Sequence, residues 1–283
     1  MKNVLFSIII VCLNPGQKLQ KTVASVTRQS FRNFEILIKD GDSTDGAVAR
    51  LEHEEKELLD STMAPYMQVK ICKDSGIYDA MNQAVAMAQG EYVLFLNCGD
   101  TLYDEQVLKK MAQKIAENPD RGIYYGDTFC EKTKALVAAP GKITGFTCYR
   151  NIPCHQACFY HRNLLLGSGD MVAAPFETDY RIRADYDHFL KCFYKLGAKP
   201  FYAGLTVASY EGGGFSESRE NRKRDKQEHS LITKDYMSKT ELFRYEAAMV
   251  LTLAPVRRFM AENPLLSGAY HGLKRALYGK GRK

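Results

Sequence analysis

A long apolar run near the start of the chain limits the fold more than any other feature of the sequence. Residues 6–13 read FSIIIVCL, and the polar turn Asn14-Pro15-Gly16 follows them. Such a run is typical of a central parallel strand that is covered on both faces. A secretory signal peptide would require a small-residue cleavage site directly after the run, and this turn does not provide one. The sequence therefore predicts a buried strand in a cytoplasmic protein.

Three more strands are predicted in the first third of the chain, and helical patterns separate them. The strand patterns cover residues 34–38, 69–72 and 92–96. Before the last of them, Met81 and Ala84 recur at helical spacing, and Gly90 is placed as the C-terminal cap of that helix. Strands joined by crossover helices form a mostly parallel sheet with helices on both faces. The expected fold class is therefore α/β, with a Rossmann-like sheet flanked by helices.

Polar residues stand at the carboxyl end of each of the four predicted strands. They are Asn14, Asp40, Asp42, Asp74, Asn97 and Asp100. The carboxyl ends of parallel strands meet at one edge of a sheet, where α/β proteins bind ligands. For a single loop, turn formation alone would explain Asp and Asn. Four such loops at one edge favour a binding site, in which the carboxylates hold a cation and hydrogen-bond donors.

Charge, cysteine content and missing motifs exclude several classes of protein. The net charge is +6, and residues 255–283 hold seven basic residues against Glu262 alone. The rest of the chain is neutral, which argues against the basic face of a nucleic-acid-binding domain. The cysteines have no framework spacing, which indicates reduced thiols, and packing explains Cys154, Cys158 and His161 better than a metal site does. Neither GxxxxGK(S/T) nor an early GxGxxG occurs, so kinase-like and dehydrogenase functions lose their main support.

Several short motifs occur in order along most of the chain. They are SIIIVCLN at 7–14, IKDGDSTDG at 38–46, DSGIYDAMN at 74–82, AQGEY at 88–92 and FLNCGD at 95–100. In this order the motifs resemble inverting glycosyltransferase family 2, whose members have the GT-A fold. His155-Gln156 and the sequence ADYD at 184–187 resemble a branch of the family that builds bacterial surface polysaccharides. The resemblance covers residues 6–218.

The resemblance implies a division of the chain and a reaction. A GT-A catalytic domain would cover residues 1–218, with a donor half at about 1–100 and an acceptor half at about 101–218, and a helical, basic C-terminal extension would cover 219–283. The implied reaction moves a sugar from a UDP- or GDP-linked donor to a hydroxyl group of a saccharide acceptor in cell-surface polysaccharide biosynthesis. Such acceptors are often lipid-linked, which would bring the protein to the inner face of the cell membrane.

The same resemblance implies a role for each matched residue. The implied donor-binding residues are Asn14, Asp40, Asp42, Asp74, Asp79, Asn82 and Asn97. Asp100 is the implied ligand of Mg²⁺ or Mn²⁺, which would balance the charge of the leaving nucleoside diphosphate. Asp185 is the implied general base, and an N-cap of the following helix is its alternative role. The candidates for acceptor or loop contacts are His155, Gln156, Asp187, Ser216 and Arg219.

One motif departs from the family pattern. Asn97 and Gly99 stand where the family carries acidic residues, so only Asp100 keeps a charge. Mg²⁺ is commonly held by one or two carboxylates together with substrate phosphates, so the departure is compatible with metal binding. A non-catalytic nucleotide-sugar-binding protein is nevertheless an alternative. A nucleotidyltransferase is a weaker one, because residues 14–18 are a poor version of the triphosphate loop that it would need.

The last part of the chain contains a glycine-rich segment, helical patterns and a basic tail. The triple glycine at 212–214 predicts either a loop that closes over the donor or a linker. Residues 219–228 mix basic and acidic side chains, which is typical of a solvated helix face. From residue 239 on, Leu242, Tyr245, Met249 and Leu253 fall on one helical face. The leucines and basic residues after residue 254 suit either an anionic membrane surface or packing and dimer contacts.

Overall fold

The computed structural model describes residues 4–54, 56, 66–167, 173, 175–212 and 221–251. The chain divides into two compact units, Met1–Ile232 and Thr233–Lys283. The predicted donor and acceptor halves both fall within the first unit. The predicted boundary after residue 218 lies outside the described residues and stays a prediction.

A mixed sheet forms the centre of the first unit. Its strands are β1 (Phe6–Cys12), β2 (Phe34–Asp40), β3 (Tyr66–Ile71), β4 (Tyr92–Phe95), β5 (Thr101–Leu102), β6 (Ile123–Cys130), β7 (Ala135–Val137), β8 (Cys158–His161) and β9 (Pro200–Tyr210). They lie in the order β3-β2-β1-β4-β8-β6-β9-β5, and β7 pairs with β6. The strands β3, β2, β1 and β4 run parallel, as do β6 and β9, whereas β8 is antiparallel to β4 and β6.

Helices separate the strands and follow them along the chain. They are α1 (Lys18–Thr27), α2 (Ala47–Glu54), α3 (Ile77–Val85), α4 (Val107–Glu117), α5 (Gly145–Arg150), α6 (Arg162–Leu166), α7 (Ala184–Leu190), α8 (Asn221–Tyr236) and α9 (Lys239–Leu251). A 3₁₀ turn at His155–Ala157 precedes β8, and a π-helical turn at Lys191–Lys195 follows α7. In the described part of the chain, no helix is long and apolar enough to cross a membrane.

The four strands predicted from the sequence are confirmed, and the α/β class with them. Every residue of β1 is buried, as its apolar run predicts. The strand β2 continues to Asp40, beyond its predicted end at residue 38. In this extension, Lys39 and Asp40 pair with Lys70 and Ile71 of β3. The buried ammonium group of Lys39 donates hydrogen bonds to the carbonyl oxygens of Asp40 (2.9 Å) and Cys72 (2.6 Å). The sheet therefore carries a charged residue inside its parallel part, next to the loops that shape the site.

The predicted helical cap at Gly90 is wrong. The helix α3 ends at Val85, with Ala86 at its C-cap. Gly90 lies against β1 instead, and its N–H donates to Ser7 Oγ (2.8 Å). A Cβ atom on Gly90 would be 2.5 Å from the backbone nitrogen of Ser7, so any side chain would collide with the strand. The glycine therefore permits a close backbone approach rather than a helix end.

The helix predicted from residue 239 is confirmed as α9. Its residues Leu242, Tyr245 and Met249 are half-buried, whereas Phe243 and Val250 are exposed. The predicted apolar face is therefore the less exposed face of the helix. Leu253 and the basic tail, which the sequence assigns to residues 255–283, lie outside the described residues.

Candidate active site

A cleft of about 1050 Å³ opens where β1 and β4 end. Its walls come from the end of β1, the turn after β4, the segment before β8 and the segment that enters α7. The predicted site residues that line it are Asn14, Asn97, Asp100, His155, Gln156 and Asp185. The fold therefore brings residues from distant sequence motifs into one cleft.

Asp100 is a buried carboxylate in the turn after β4, and it is 8% exposed. Its Oδ2 atom accepts a hydrogen bond from Gln156 Nε2 (2.9 Å). Burial raises the pKa of Asp100 to about 6; the hydrogen bond from Gln156 opposes this shift, and the charge of Glu211 adds to it. At pH 7 the carboxylate is therefore mostly ionised although its surroundings disfavour the charge. Such a group gains from a bound cation.

Asn97 offers a second oxygen ligand in the same turn. Its Oδ1 atom is buried and has no hydrogen-bond partner among the described residues. An unpaired buried acceptor costs about 1–3 kcal/mol, and the backbone bond from Asp100 N–H to the Asn97 carbonyl (2.9 Å) fixes the turn that holds it. One carboxylate and one amide oxygen fit Mg²⁺ or Mn²⁺, whose other ligands are then phosphate oxygens and water. Within the described ranges, no group of three His, Cys, Asp or Glu side chains could hold a metal ion.

Asp185 is the second carboxylate that lines the cleft. It lies in the first turn of α7, and Arg183 occupies the N-cap, so the alternative role of Asp185 as the N-cap is wrong. Its Oδ1 atom accepts hydrogen bonds from the hydroxyl of Tyr78 (3.3 Å) and from the N–H of Tyr186 (2.9 Å). Burial raises the pKa of Asp185, and these hydrogen bonds and the charge of Arg183 oppose that shift. The carboxylate is held by Oδ1, and no described residue hydrogen-bonds to Oδ2.

Tyr78 is a part of the site that the sequence analysis did not single out. Its hydroxyl also donates to the carbonyl oxygen of Ile182 (2.7 Å), and its ring stacks on Phe176 at a centroid distance of 5.8 Å. It lies inside the DSGIYDAMN motif, which was the available signal. Only the tertiary fold shows that this tyrosine positions Asp185.

His155 and Gln156 begin the 3₁₀ turn before β8. His155 is 6% exposed, and neither of its ring nitrogens has a hydrogen-bond partner among the described residues. Gln156 connects two parts of the cleft, because it donates to Asp100 through Nε2 and accepts from the thiol of Cys154 through Oε1 (2.8 Å). The motif therefore combines a hydrogen-bonded glutamine with an unpaired histidine.

Asn14, Asp40 and Asp42 belong to the loops that follow β1 and β2. Asn14 Oδ1 accepts from the N–H of Thr44 (2.9 Å), which ties the two loops together. Asp40 is 1% exposed and accepts from the N–H (2.7 Å) and the hydroxyl (2.6 Å) of Ser43. Asp42 is exposed, with a left-handed φ of 72°. Asn14 lines the cleft, whereas Asp40 and Asp42 are not among its lining residues.

Asp74 and Asp79 order the turn that leads into α3. Asp74 Oδ2 is paired with the buried Lys39 ammonium at 2.7 Å, and its Oδ1 accepts from the N–H of Gly76 (3.2 Å). Asp79 accepts from the N–H of Ser75 (2.8 Å). Neither carboxylate is among the lining residues. Their role in donor binding stays a prediction, whereas their structural contacts are observed.

The remaining predicted residues lie away from the cleft or outside the described residues. Asn82 exchanges two hydrogen bonds of 2.9 Å with the backbone of Phe176, and it clips α3 to that segment. Asp187 is buried in α7 and is not a lining residue. Ser216 and Arg219 lie outside the described residues.

Glu228 on α8 is an exception to the predicted solvated helix face at residues 219–228, where residues 222–224, 226 and 227 are exposed. It is 5% exposed. Its carboxylate accepts from the backbone N–H groups of Arg181 (3.0 Å), Ile182 (2.9 Å) and Arg183 (2.9 Å). These bonds fix the segment that enters α7 and carries Asp185. The mixed charge of the sequence gave no signal for this role, because it depends on which backbone donors pack against the helix.

Comparison with known proteins identifies the family. Residues 7–154 match the sequence model of the family described as "Glycosyl transferase family 2". The chain belongs to glycosyl transferase family 2. It is 34% identical over 221 residues to a PGL/p-HBAD biosynthesis glycosyltransferase of Mycobacterium tuberculosis, a match that covers 76% of this chain and 80% of the relative. It is 27% identical over 203 residues to WcaA of Escherichia coli, a putative colanic acid biosynthesis glycosyl transferase, which covers 69% of this chain and 68% of the relative.

Solved structures of the same fold confirm the GT-A architecture of this family member. Staphylococcus aureus TarS 1-349 in complex with UDP-GlcNAc has a TM-score of 0.62 at 16% identity, covering 94% of this chain and 69% of that chain. In the alignment with the TarS 1-349 structure without a named ligand, this chain spans 65% of that chain. The mannosyltransferase PcManGT from Pyrobaculum calidifontis, in complex with GDP-Man and Mn²⁺, has a TM-score of 0.63 at 17% identity, covering 98% and 81%. At these identities the likeness concerns the fold.

Proposed function

We propose that this family member is an inverting glycosyltransferase that moves a sugar from a nucleotide-diphosphate sugar to an acceptor hydroxyl group. The observation that carries the proposal is the presence of two carboxylates in one cleft, the buried Asp100 and the half-buried Asp185. They come from two separate motifs of the resemblance, one in the turn after β4 and the other at the start of α7. Burial raises the pKa of both carboxyl groups, so a bound cation or a proton donor would stabilise the ionised form of each.

Asp100 is proposed to hold the diphosphate end of the donor, with Asn97 beside it. These two residues would bind Mg²⁺ or Mn²⁺, which supplies positive charge against the developing negative charge of the leaving nucleoside diphosphate. The Mn²⁺ named in the PcManGT complex supports this choice of ion. Gln156 would keep the Asp100 carboxylate in place through its hydrogen bond to Oδ2.

Asp185 is proposed as the general base. The acceptor hydroxyl gives its proton to the free Oδ2 atom of Asp185, and the hydroxyl oxygen attacks the anomeric carbon on the face opposite the diphosphate. The bond from the anomeric carbon to the diphosphate oxygen breaks, and its electron pair leaves with the nucleoside diphosphate, so the configuration inverts. Burial raises the pKa of this carboxyl group, which makes the ionised form a better proton acceptor near neutral pH.

The donor is proposed to be UDP- or GDP-linked, and the acceptor to belong to a cell-surface glycan. UDP-GlcNAc and GDP-Man are the donors named for the two solved structures of this fold. The relative from E. coli is named for colanic acid biosynthesis, which supports a polysaccharide acceptor, including a lipid-linked one.

The basic tail at residues 255–283 is proposed to bring a cytoplasmic enzyme to the inner face of the membrane. It carries seven basic residues against one acidic residue, and each basic residue near an anionic surface contributes about 1 kcal/mol. Sedimentation with phosphatidylserine vesicles should show binding that salt weakens and that disappears when the chain is cut after Ala254. Equal binding to neutral vesicles, or none at low salt, would contradict this role.

The proposed activity is tested by incubating the full chain with UDP-GlcNAc, UDP-glucose and GDP-mannose, with Mg²⁺ or Mn²⁺ and a bacterial membrane-lipid extract as acceptor. Release of free nucleoside diphosphate with sugar incorporated into the extract is the expected result. Tight binding without release would support the non-catalytic alternative. Release of pyrophosphate from a nucleoside triphosphate and a sugar 1-phosphate would instead indicate a nucleotidyltransferase.

A further inference from the structure

His155 is a buried polar side chain without a protein partner. Its ring stacks on Phe95 at a centroid distance of 5.0 Å and an interplanar angle of 24°, and it meets Phe176 edge-on at 5.6 Å. Burial lowers the pKa of His155 to about 4, so the imidazole is neutral at pH 7. A neutral imidazole has one N–H donor and one nitrogen acceptor. Among the described residues, neither finds a partner.

Two other histidines, both half-buried, have hydrogen-bond partners within the protein. His229 Nε2 lies 2.8 Å from the carbonyl oxygen of Tyr149. His161 Nδ1 accepts from the N–H of Asn163 (3.3 Å). Because buried polar groups in native proteins are nearly always hydrogen-bonded, an exception needs an explanation. His155 lines the cleft, so a ligand that packs against this wall can supply the hydrogen-bond partner that its buried nitrogens lack in the described part of the chain.

The position of His155 indicates which part of a ligand it meets. On one side, Gln156 donates to Asp100 (2.9 Å). On the other side, Cys154 donates to Gln156 Oε1 (2.8 Å) and lines the cleft. His155 therefore stands next to the residue that holds the Asp100 carboxylate, and Asp185 lines the same cleft. In the proposed reaction, the transferred sugar lies between the diphosphate at Asp100 and the acceptor at Asp185.

We propose that His155 is a specificity-determining residue that hydrogen-bonds a hydroxyl group of the transferred sugar. This inference rests on the proposed function of the cleft. A sugar hydroxyl can accept from the N–H of a neutral ring or donate to its unprotonated nitrogen, so it can pair with either ring nitrogen. A phosphate group offers acceptors alone, and it would favour the imidazolium form that burial opposes. The aromatic packing holds the ring in place, so the hydrogen bond selects a sugar whose hydroxyl lies at that position.

The test separates binding of the sugar from binding of the nucleotide. Isothermal titration calorimetry with Mn²⁺ gives the affinity of the full chain for UDP-GlcNAc and UDP, and for GDP-mannose and GDP. In His155→Phe, which keeps an aromatic ring but removes both nitrogens, affinity for the preferred nucleotide sugar should fall about tenfold while affinity for its bare nucleotide is unchanged. The unfolding temperature should stay the same or rise, because two unpaired buried nitrogens are gone.

Two further variants distinguish this role from a structural one. His155→Gln keeps a donor and an acceptor, and it should recover part of the lost affinity for the sugar. His161→Phe changes a histidine outside the cleft that already has a protein partner, and both affinities should stay at the wild-type values. Equal loss for nucleotide and nucleotide sugar in His155→Phe, or no loss for either, would overturn the inference. A wild-type protein that binds none of the four compounds would overturn the proposed function as well.

Discussion

Buried polar groups at the two edges of the parallel sheet differ in how completely the protein supplies their hydrogen-bond partners. At the amino edge, the carboxylate of Glu35 is fully buried at the start of β2. It accepts hydrogen bonds from Ser7 Oγ (2.5 Å), Gln89 N–H (2.7 Å), Gly90 N–H (3.1 Å) and the hydroxyl of Tyr66. These hydrogen bonds join β1, β2, β3 and the segment before β4. Because the Glu35 carboxylate already has four donors in the protein, it does not require a ligand.

At the carboxyl edge, Asp40 and Asp74 have protein partners, but within the described ranges some polar groups that line the cleft do not. Asn97 Oδ1 and both nitrogens of His155 have no partner among the described residues. Burial raises the pKa of Asp100 and of Asp185. The polar contacts of Glu35 are thus complete where they hold the sheet together, whereas those that described residues make to Asn97 and His155 are incomplete where the cleft opens. The difference separates residues that stabilise the fold from residues that are available to a substrate.

The largest effect is expected from Asp185→Asn at the carboxyl edge. The amide keeps the shape of the side chain but cannot take the proton of the acceptor, so transfer should fall by roughly 10²–10⁴. Donor affinity and the unfolding temperature should be maintained. Steady-state kinetics and calorimetry on the same preparation measure these quantities. If transfer survived in this variant and disappeared in Asp187→Asn, the base would be the other carboxylate of α7.

A smaller loss is expected from Asp100→Asn. Removing the only carboxylate of the turn after β4 should weaken Mn²⁺ binding and lower turnover by about 10²–10³, the range for a lost electrostatic stabiliser of the transition state. Electron paramagnetic resonance of Mn²⁺ titrated into the protein with UDP reports the binding directly. Full turnover of the wild type in excess chelator would remove the metal from the mechanism.

A substitution at the amino edge should lower stability and leave turnover unchanged. Glu35→Ala leaves several buried donors without an acceptor, and it should cost about 3–5 kcal/mol of unfolding free energy. Turnover per folded molecule should stay at the wild-type value, because Glu35 does not line the cleft. Urea denaturation and active-site titration measure the two effects separately. A loss of turnover without a loss of stability would contradict the purely structural role of Glu35.

The smallest effect concerns pH, and its sign follows from Asp100. Its pKa is raised from 3.8 to about 6 in the folded protein, so between these values the folded state binds more protons than the unfolded state. The contribution of Asp100 to stability should therefore decrease as the pH rises from about 4 to about 6, by at most about 3 kcal/mol. Asp100→Asn should lack this component when its denaturation curves are compared with the wild type. Identical pH dependence in both proteins would contradict the raised pKa.

The sequence predicts the strands and helices better than it predicts the contacts that individual residues make between them. Uninterrupted apolar runs and helical spacing were enough for β1, β2, β4 and α3, because burial on both faces leaves a direct trace in composition. The role of Gly90 was missed, because a close approach between distant strands leaves no local signal. Glu228 was missed because its partners are backbone N–H groups of a segment far away in the chain.

The candidate site shows the same limit. The motifs predicted which residues cluster, and six of them do line one cleft. Spacing could not show that Asp40 and Asp74 are engaged by Ser43 and Lys39, or that His155 lacks a partner. Such facts depend on side-chain packing in three dimensions, and they are the ones that separate structural from functional polar residues.

The most direct test of the proposed mechanism is the anomeric configuration of the transferred sugar. NMR of the product formed from an α-linked donor reports that configuration, through the H1–H2 coupling for UDP-GlcNAc and through the one-bond C1–H1 coupling for GDP-mannose. A single attack assisted by Asp185 at the open carboxyl edge predicts a β-linked product, formed in step with free nucleoside diphosphate and lost in Asp185→Asn. An α-linked product, or a β-linked product formed at the same rate by Asp185→Asn, would contradict the mechanism.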